Sequence, residues 1–67
     1  MAPETPVRVV LSSNEKNIFH LACIVHRALL DGGYKKEAVD FMEEMREAHD
    51  YYGTVVLIEQ FVHAVWK

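Results

Sequence analysis

One cysteine in 67 residues is the strongest constraint on how this chain can hold itself together. Cys23 has no partner in the chain, so no internal disulfide can stabilise the fold. A domain this short buries only about 60% of the surface its unfolded form exposes. Scaffolds of this size usually add a disulfide, a metal or a partner subunit. The lone thiol fits a reducing compartment, which makes the cytoplasm the expected location. Apolar residues form 51% of the chain and the net charge is −3, a globular rather than a disordered composition. The apolar runs are only a few residues long, whereas a bilayer span needs roughly 20, so no membrane association is expected. Ten acids against seven bases make nucleic acid an unlikely partner, since such domains carry a basic excess.

Residues 1–6 contain both prolines and no signal-peptide pattern. They read as a disordered lead or an expression remnant, which leaves residues 7–67 as a single small helical domain. Residues 7–11, VRVVL, are rich in β-branched side chains and predict a short strand or arm. Such an arm has unpaired backbone groups and is a route to pairing with a second subunit. Ser12 and Glu15 have capping-box spacing, so the first helix is expected to open there and run to about Leu30. Asp31-Gly32-Gly33 then stops it, because glycine accepts the left-handed conformation at a helix end. A second helix is predicted over 34–49, halted near Asp50-Tyr51-Tyr52-Gly53. Over 54–66 the composition is strand-like at first. Glu59, Gln60, His63 and Lys67 nevertheless share one face at 100° per residue, which predicts a third helix. The expected fold class is therefore mainly α: a short N-terminal strand or arm, then an antiparallel helical hairpin with a third helix packed across it.

The second helix is the most polarised. On a helical wheel Ala38, Phe41, Met42, Met45 and Ala48 gather on one side. Residues 37–50 carry six acids and one base, a local charge of −5, and leave the rest of the chain at +2. The first helix has a core stripe of Ile18, Leu21, Ala22, Val25, Ala28 and Leu29, and a second cluster of Phe19, Cys23, His26 and Leu30. The third is apolar well beyond one stripe. A helix apolar most of the way round is a buried helix, and three helices cannot bury two of their own number. An obligate homo-oligomer, a dimer first, is the simplest cover. Its expected interface is Val9, Leu11, Phe19, Cys23, Leu30, Val55, Val62 and Trp66.

Signatures of chemistry are sparse. There is no phosphate-binding glycine loop, no dinucleotide fingerprint and no His-Glu-x-x-His pair, so no catalytic residues and no cofactor are expected. His20, Cys23 and His26 spread over about 120° of one helix and converge poorly for tetrahedral zinc; no metal is expected. Arg8, Lys16, Arg27, Lys35 and Lys36 are scattered rather than gathered into a footprint.

Residues 28–48, with Gly33, Tyr34, Ala38, Phe41 and Met45 at the appropriate spacing, resemble the turn and second helix of tetratricopeptide and pentatricopeptide repeats. The chain departs from those families in having one hairpin, no repeat and no proline stop. The resemblance implies an antiparallel hairpin over 14–50 and a protein-binding habit. The expected function is a non-enzymatic adaptor or inhibitor of the kind found among phage and mobile-element accessory products, binding a protein partner with a basic surface. The contact residues would be Asp40, Glu43, Glu44, Glu47, Tyr51, Tyr52 and Trp66. Two rival readings are an oligomer that captures a small ligand such as a nucleotide between subunits, and a DNA-binding ribbon-arm dimer.

Overall fold

Asn17, rather than the Ser12 and Glu15 pair, opens the first helix. In the computed structural model, which describes residues 2–48 and 50–67, the elements run β1 (Arg8–Leu11), α1 (Ile18–Asp31), α2 (Lys35–Met45), α3 (Tyr51–Phe61) and β2 (His63–Trp66). The Asn17 side chain accepts from the backbone N–H groups of Phe19 at 3.0 Å and His20 at 3.4 Å, satisfying donors that the first turn leaves free. The expected capping box does not form. Ser12 Oγ accepts from Asn14 N–H within the preceding turn, and Glu15 serves the cap from outside the helix. One of its carboxylate oxygens accepts from Asn17 N–H at 3.0 Å and the other meets His20 Nδ1 at 2.6 Å.

Those contacts, the Asn17 N–H first and the His20 ring second, hold the Glu15 carboxyl below the usual glutamate range. A carboxyl with a lowered pKa in the fold stabilises it above the unfolded-state pKa, and that contribution is lost as pH falls through the folded-state value. Thermal melts of wild type and Glu15→Gln should therefore differ at neutral pH and converge in acid. A difference unchanged by pH would remove the Glu15 carboxylate from the cap.

The expected glycine stop at the end of α1 is present. Gly33 has φ +87°. Tyr34 N–H donates to Leu29 C=O at 2.8 Å and Gly33 N–H to Leu30 C=O at 3.0 Å, the paired bonds of a Schellman ending. A Cβ on Gly33 would meet nothing within 4 Å, so Gly33→Ala should cost only the left-handed backbone penalty, about 1–2 kcal/mol. Urea unfolding measures this, and an unchanged midpoint would mean the turn tolerates another conformation.

Helix α2 ends at Met45, short of the expected His49, which lies outside the described residues. Its last turn tightens through i to i+3 bonds from Arg46, Glu47 and Ala48. Asp50 to Gly53, expected to end α2, instead begins α3. The Asp50 carboxylate caps Gly53 N–H at 2.7 Å, and the buried Thr54 hydroxyl donates to Asp50 C=O at 2.9 Å.

The largest departure from the sequence reading is at the C-terminus. Helix α3 stops at Phe61, Val62 turns extended (φ −138°, ψ 163°), and residues 63–66 form β2, parallel to β1 in the register Arg8↔His63 through Leu11↔Trp66. The helix expected through Trp66 is thus corrected to a helix and a strand. The arm that was a candidate for pairing across subunits is hydrogen-bonded along one edge to β2 of its own chain. The cause is backbone satisfaction. An arm folded onto the core needs partners for its N–H and C=O groups, and β2 supplies them. His63 N–H donates to Val7 C=O at 2.8 Å, Lys67 N–H to Leu11 C=O at 2.9 Å and Ser13 N–H to Lys67 C=O at 2.7 Å.

The segment read as a disordered lead joins this arrangement. Glu4 N–H donates to Gln60 C=O, Thr5 N–H to Phe61 C=O, and the buried Thr5 hydroxyl also donates to Phe61 C=O at 2.7 Å. Thr5→Val, which keeps the shape and removes the hydroxyl, should cost about 1–3 kcal/mol. An unaltered urea midpoint would show that the segment is not tied down there.

The sheet caps a core drawn from every element. Val9 and Leu11 of β1, and Val62, are buried in it with Leu21, Val25, Phe41, Ile58 and Phe61. Phe41 and Phe61 meet edge to face with centroids 5.5 Å apart. Three of the expected oligomer-interface residues, Val9, Leu11 and Val62, are therefore corrected to core. Among the described residues no helix is long and apolar enough to cross a membrane.

Candidate functional site

The geometry of α2 sets the surface chemistry on both of its flanks. Ala38, Phe41 and Met45 are buried, which points the acids of the opposite arc outward and turns one flank of them toward α3. There Glu44 meets Val56, Glu59, Gln60 and Phe61 of α3 and Ala2 and Glu4 of the N-terminal segment, around an open cleft of about 570 Å3. A shallower hollow of about 240 Å3 continues it past Glu47 and Gly53, sharing Glu44, Val56 and Gln60. Four carboxylates, Glu4, Glu44, Glu47 and Glu59, thus line one continuous cleft with an apolar floor, and no lysine or arginine lies among its walls. Glu59 is held by Trp66, whose indole N–H donates to it at 3.3 Å.

This arrangement suits an extended cationic side chain. The aliphatic stem of a lysine or arginine can lie on Val56 and Phe61 while its head reaches the carboxylates, which are stronger acceptors than neutral groups. Among the described residues no three His, Cys, Asp or Glu side chains converge on a metal-sized point.

The residues expected to bind a partner are divided by the fold. Glu44 and Glu47 line the cleft. Asp40 and Glu43 stay on α2 outside it, Asp40 half-buried and Glu43 exposed. Tyr51 and Tyr52 are exposed on the first turn of α3, Tyr52 at 76%. Trp66 is half-buried in β2 against the core, so it is not the free aromatic that a terminal helix would have presented. Nothing local in the sequence marks two of the cleft residues: Glu4 lies in the N-terminal segment, and Glu59 is one of several polar residues on its face of α3.

The other flank of α2 is apolar and faces the outer side of α1. Phe19 is 72% exposed, with Cys23 and Met42 exposed near it and Leu30 exposed further along α1. Two concavities share Cys23 and Met42. One of about 230 Å3 adds Phe19, Met45 and Arg46, and one of about 480 Å3 adds His26, Arg27, Leu30 and Asp31. Of the remaining residues expected at an oligomer interface, Phe19, Cys23 and Leu30 lie on this flank, while Val55 is half-buried on α3.

No protein-family model matches the chain, and neither a curated protein nor a solved structure matches it significantly.

Proposed function

We propose that this chain is a non-enzymatic interaction protein, an adaptor or inhibitor, that docks a basic segment of a protein partner in the cleft between α2 and α3. The supporting observation is the run of Glu4, Glu44, Glu47 and Glu59 along one cleft with an apolar floor and, among the described residues, no lysine or arginine in its walls. The same charge disfavours nucleic acid, whose phosphates the cleft repels. Calorimetric titration with a peptide of alternating lysine and leucine tests this reading. Saturable binding that weakens with salt is expected, and Glu44→Lys with Glu59→Lys should reduce it by about tenfold or more, since juxtaposed like charges cost several kcal/mol. Both side chains are exposed, so helicity should persist. Binding that the charge reversals leave intact would discard the cleft.

A further inference from the structure

The apolar groove between α1 and α2 carries its own charge pattern, opposite to that of the acidic cleft. Its two concavities join at Cys23 and Met42, so the groove runs along α1 from Phe19 to Leu30, about 16 Å at 1.5 Å per residue. Arg46 stands at the Phe19 end; Arg27, His26 and Asp31 stand at the Leu30 end. Both arginines are exposed. Among the described residues the ion pair is Glu15 with His20, and neither Arg27 nor Arg46 joins one.

We propose that this groove binds one amphipathic helix of about three turns from another protein, apolar toward Phe19, Cys23, Leu30 and Met42, with carboxylates at both ends facing Arg46 and Arg27. The inference rests on reading the chain as a docking protein but not on the acidic cleft. An amphipathic helix fills such a groove with anchors one turn apart. Arg is suited to carboxylates because its planar fork meets both oxygens. Charge complementarity favours this occupant over a second copy of the same groove. In a two-fold pairing of the groove on itself, Arg46 of each copy would meet both Arg27 and Asp31 of the other, so repulsion offsets attraction at each end. A carboxylate of a partner helix placed at Arg46 meets no such opposition.

Cys23 at the centre of the groove supplies the readout, because it is the one cysteine in the chain. The probes are a three-turn synthetic helix with leucines on one face and glutamates at both ends, and its twin with lysines in place of the glutamates. The glutamate-ended helix should bind one to one and slow alkylation of Cys23. The lysine-ended twin should bind about tenfold or more weakly, the scale of a like-charge encounter. Arg27→Glu with Arg46→Glu should reverse that preference. Phe19→Ser should weaken binding about tenfold or more, the equivalent of losing one buried aromatic anchor.

Glu44→Lys with Glu59→Lys, on the other flank of α2, should leave groove binding unchanged, so loss of the cleft and loss of the groove are separable results. If the double arginine variant does not fold, the comparison of the two helices on the wild-type chain still decides the matter. Equal binding of both helices, or binding of neither, overturns the proposal. So does protection of Cys23 that appears on raising the protein concentration alone, which would make a second copy the occupant. Protection by anionic vesicles without protection by the glutamate-ended helix would make it a membrane.

Discussion

Phe41→Ala should leave this domain largely unfolded. Phe41 is fully buried and meets Phe61 edge to face, so it joins α2 to α3 at the centre of the core. Replacing a buried phenylalanine by alanine costs about 3–5 kcal/mol, from lost transfer energy and the cavity left behind. A core of this size rarely supplies more than about 3–5 kcal/mol of net stability. The substitution therefore removes most or all of the margin, and circular dichroism should show loss of helix without a cooperative transition. Phe41→Leu, which retains much of the volume, should remain folded with a lowered urea midpoint. A Phe41→Ala protein that unfolds within about 1 kcal/mol of wild type would mean that Phe41 is not central to the core, since effects that small are typical of surface positions.

Ending the chain at Phe61 should be equally severe, although it removes only six residues. It takes Val62 out of the core, worth about 1.5–3 kcal/mol, and strips β1 of its hydrogen-bonded neighbour. The bonds from His63 to Val7, from Lys67 to Leu11 and from Ser13 to Lys67 all disappear, at about 0.5–1.5 kcal/mol each. Val9 and Leu11 lose the strand beside them. Loss of cooperative thermal unfolding is the expected result. Val10→Lys is the control, because Val10 is 57% exposed on the face of β1 turned away from the core. It should change stability by no more than about 0.5 kcal/mol. A truncated chain that still melts cooperatively would show that α1, α2 and α3 form a sufficient core without the sheet.

The two substitutions differ in how visible their causes are in the amino-acid sequence. The position of Phe41 on the buried stripe of α2 follows from spacing alone. Ala38, Phe41 and Met45 recur at three and four residues, the period of one helical face, and all three are buried. The end of α1 is equally local: Gly32-Gly33 after the last apolar turn allows one economical ending, and that ending is present. The acidic arc of α2 follows from the same count. The role of residues 62–66 does not. Val62, Ala64, Val65 and Trp66 have side chains that fit a helix or a strand, and the polar spacing of Glu59, Gln60, His63 and Lys67 favoured a helix. The decision came from β1, whose partners lie about 55 positions further along the chain.

The start of α1 is hidden in the sequence for a different reason. Ser12, Asn14 and Asn17 are all competent caps, and nothing local ranks them. Hydrogen bonds that tie residues 11 and 13 to Lys67 keep the Ser12 turn beside the sheet, so the helix begins later, at Asn17.

The candidate sites show the same division. Glu44 and Glu47 were legible as part of a charged helix face. Glu4 and Glu59 were not, because only the pairing of Glu4 and Thr5 with the end of α3 brings the N-terminal segment to the cleft. Likewise Phe19, Cys23 and Leu30 were legible as an apolar cluster beyond the core stripe of α1. Their union with Met42, Arg27 and Arg46 in one groove required α2 to be laid beside them.

Local periodicity determined three things about this protein by itself: the helical character of residues 18–31 and 35–45, the buried face of α2 and the concentration of acid along it. These depend on neighbours within one or two turns. Tertiary structure decided the rest: that the tail is a strand, that the N-terminal segment is bound, and that acids from this segment, from α2 and its end, and from α3 line one cleft. Backbone groups and surface charges find such partners only after the chain has closed on itself, and no window of neighbouring residues contains both members of the pair.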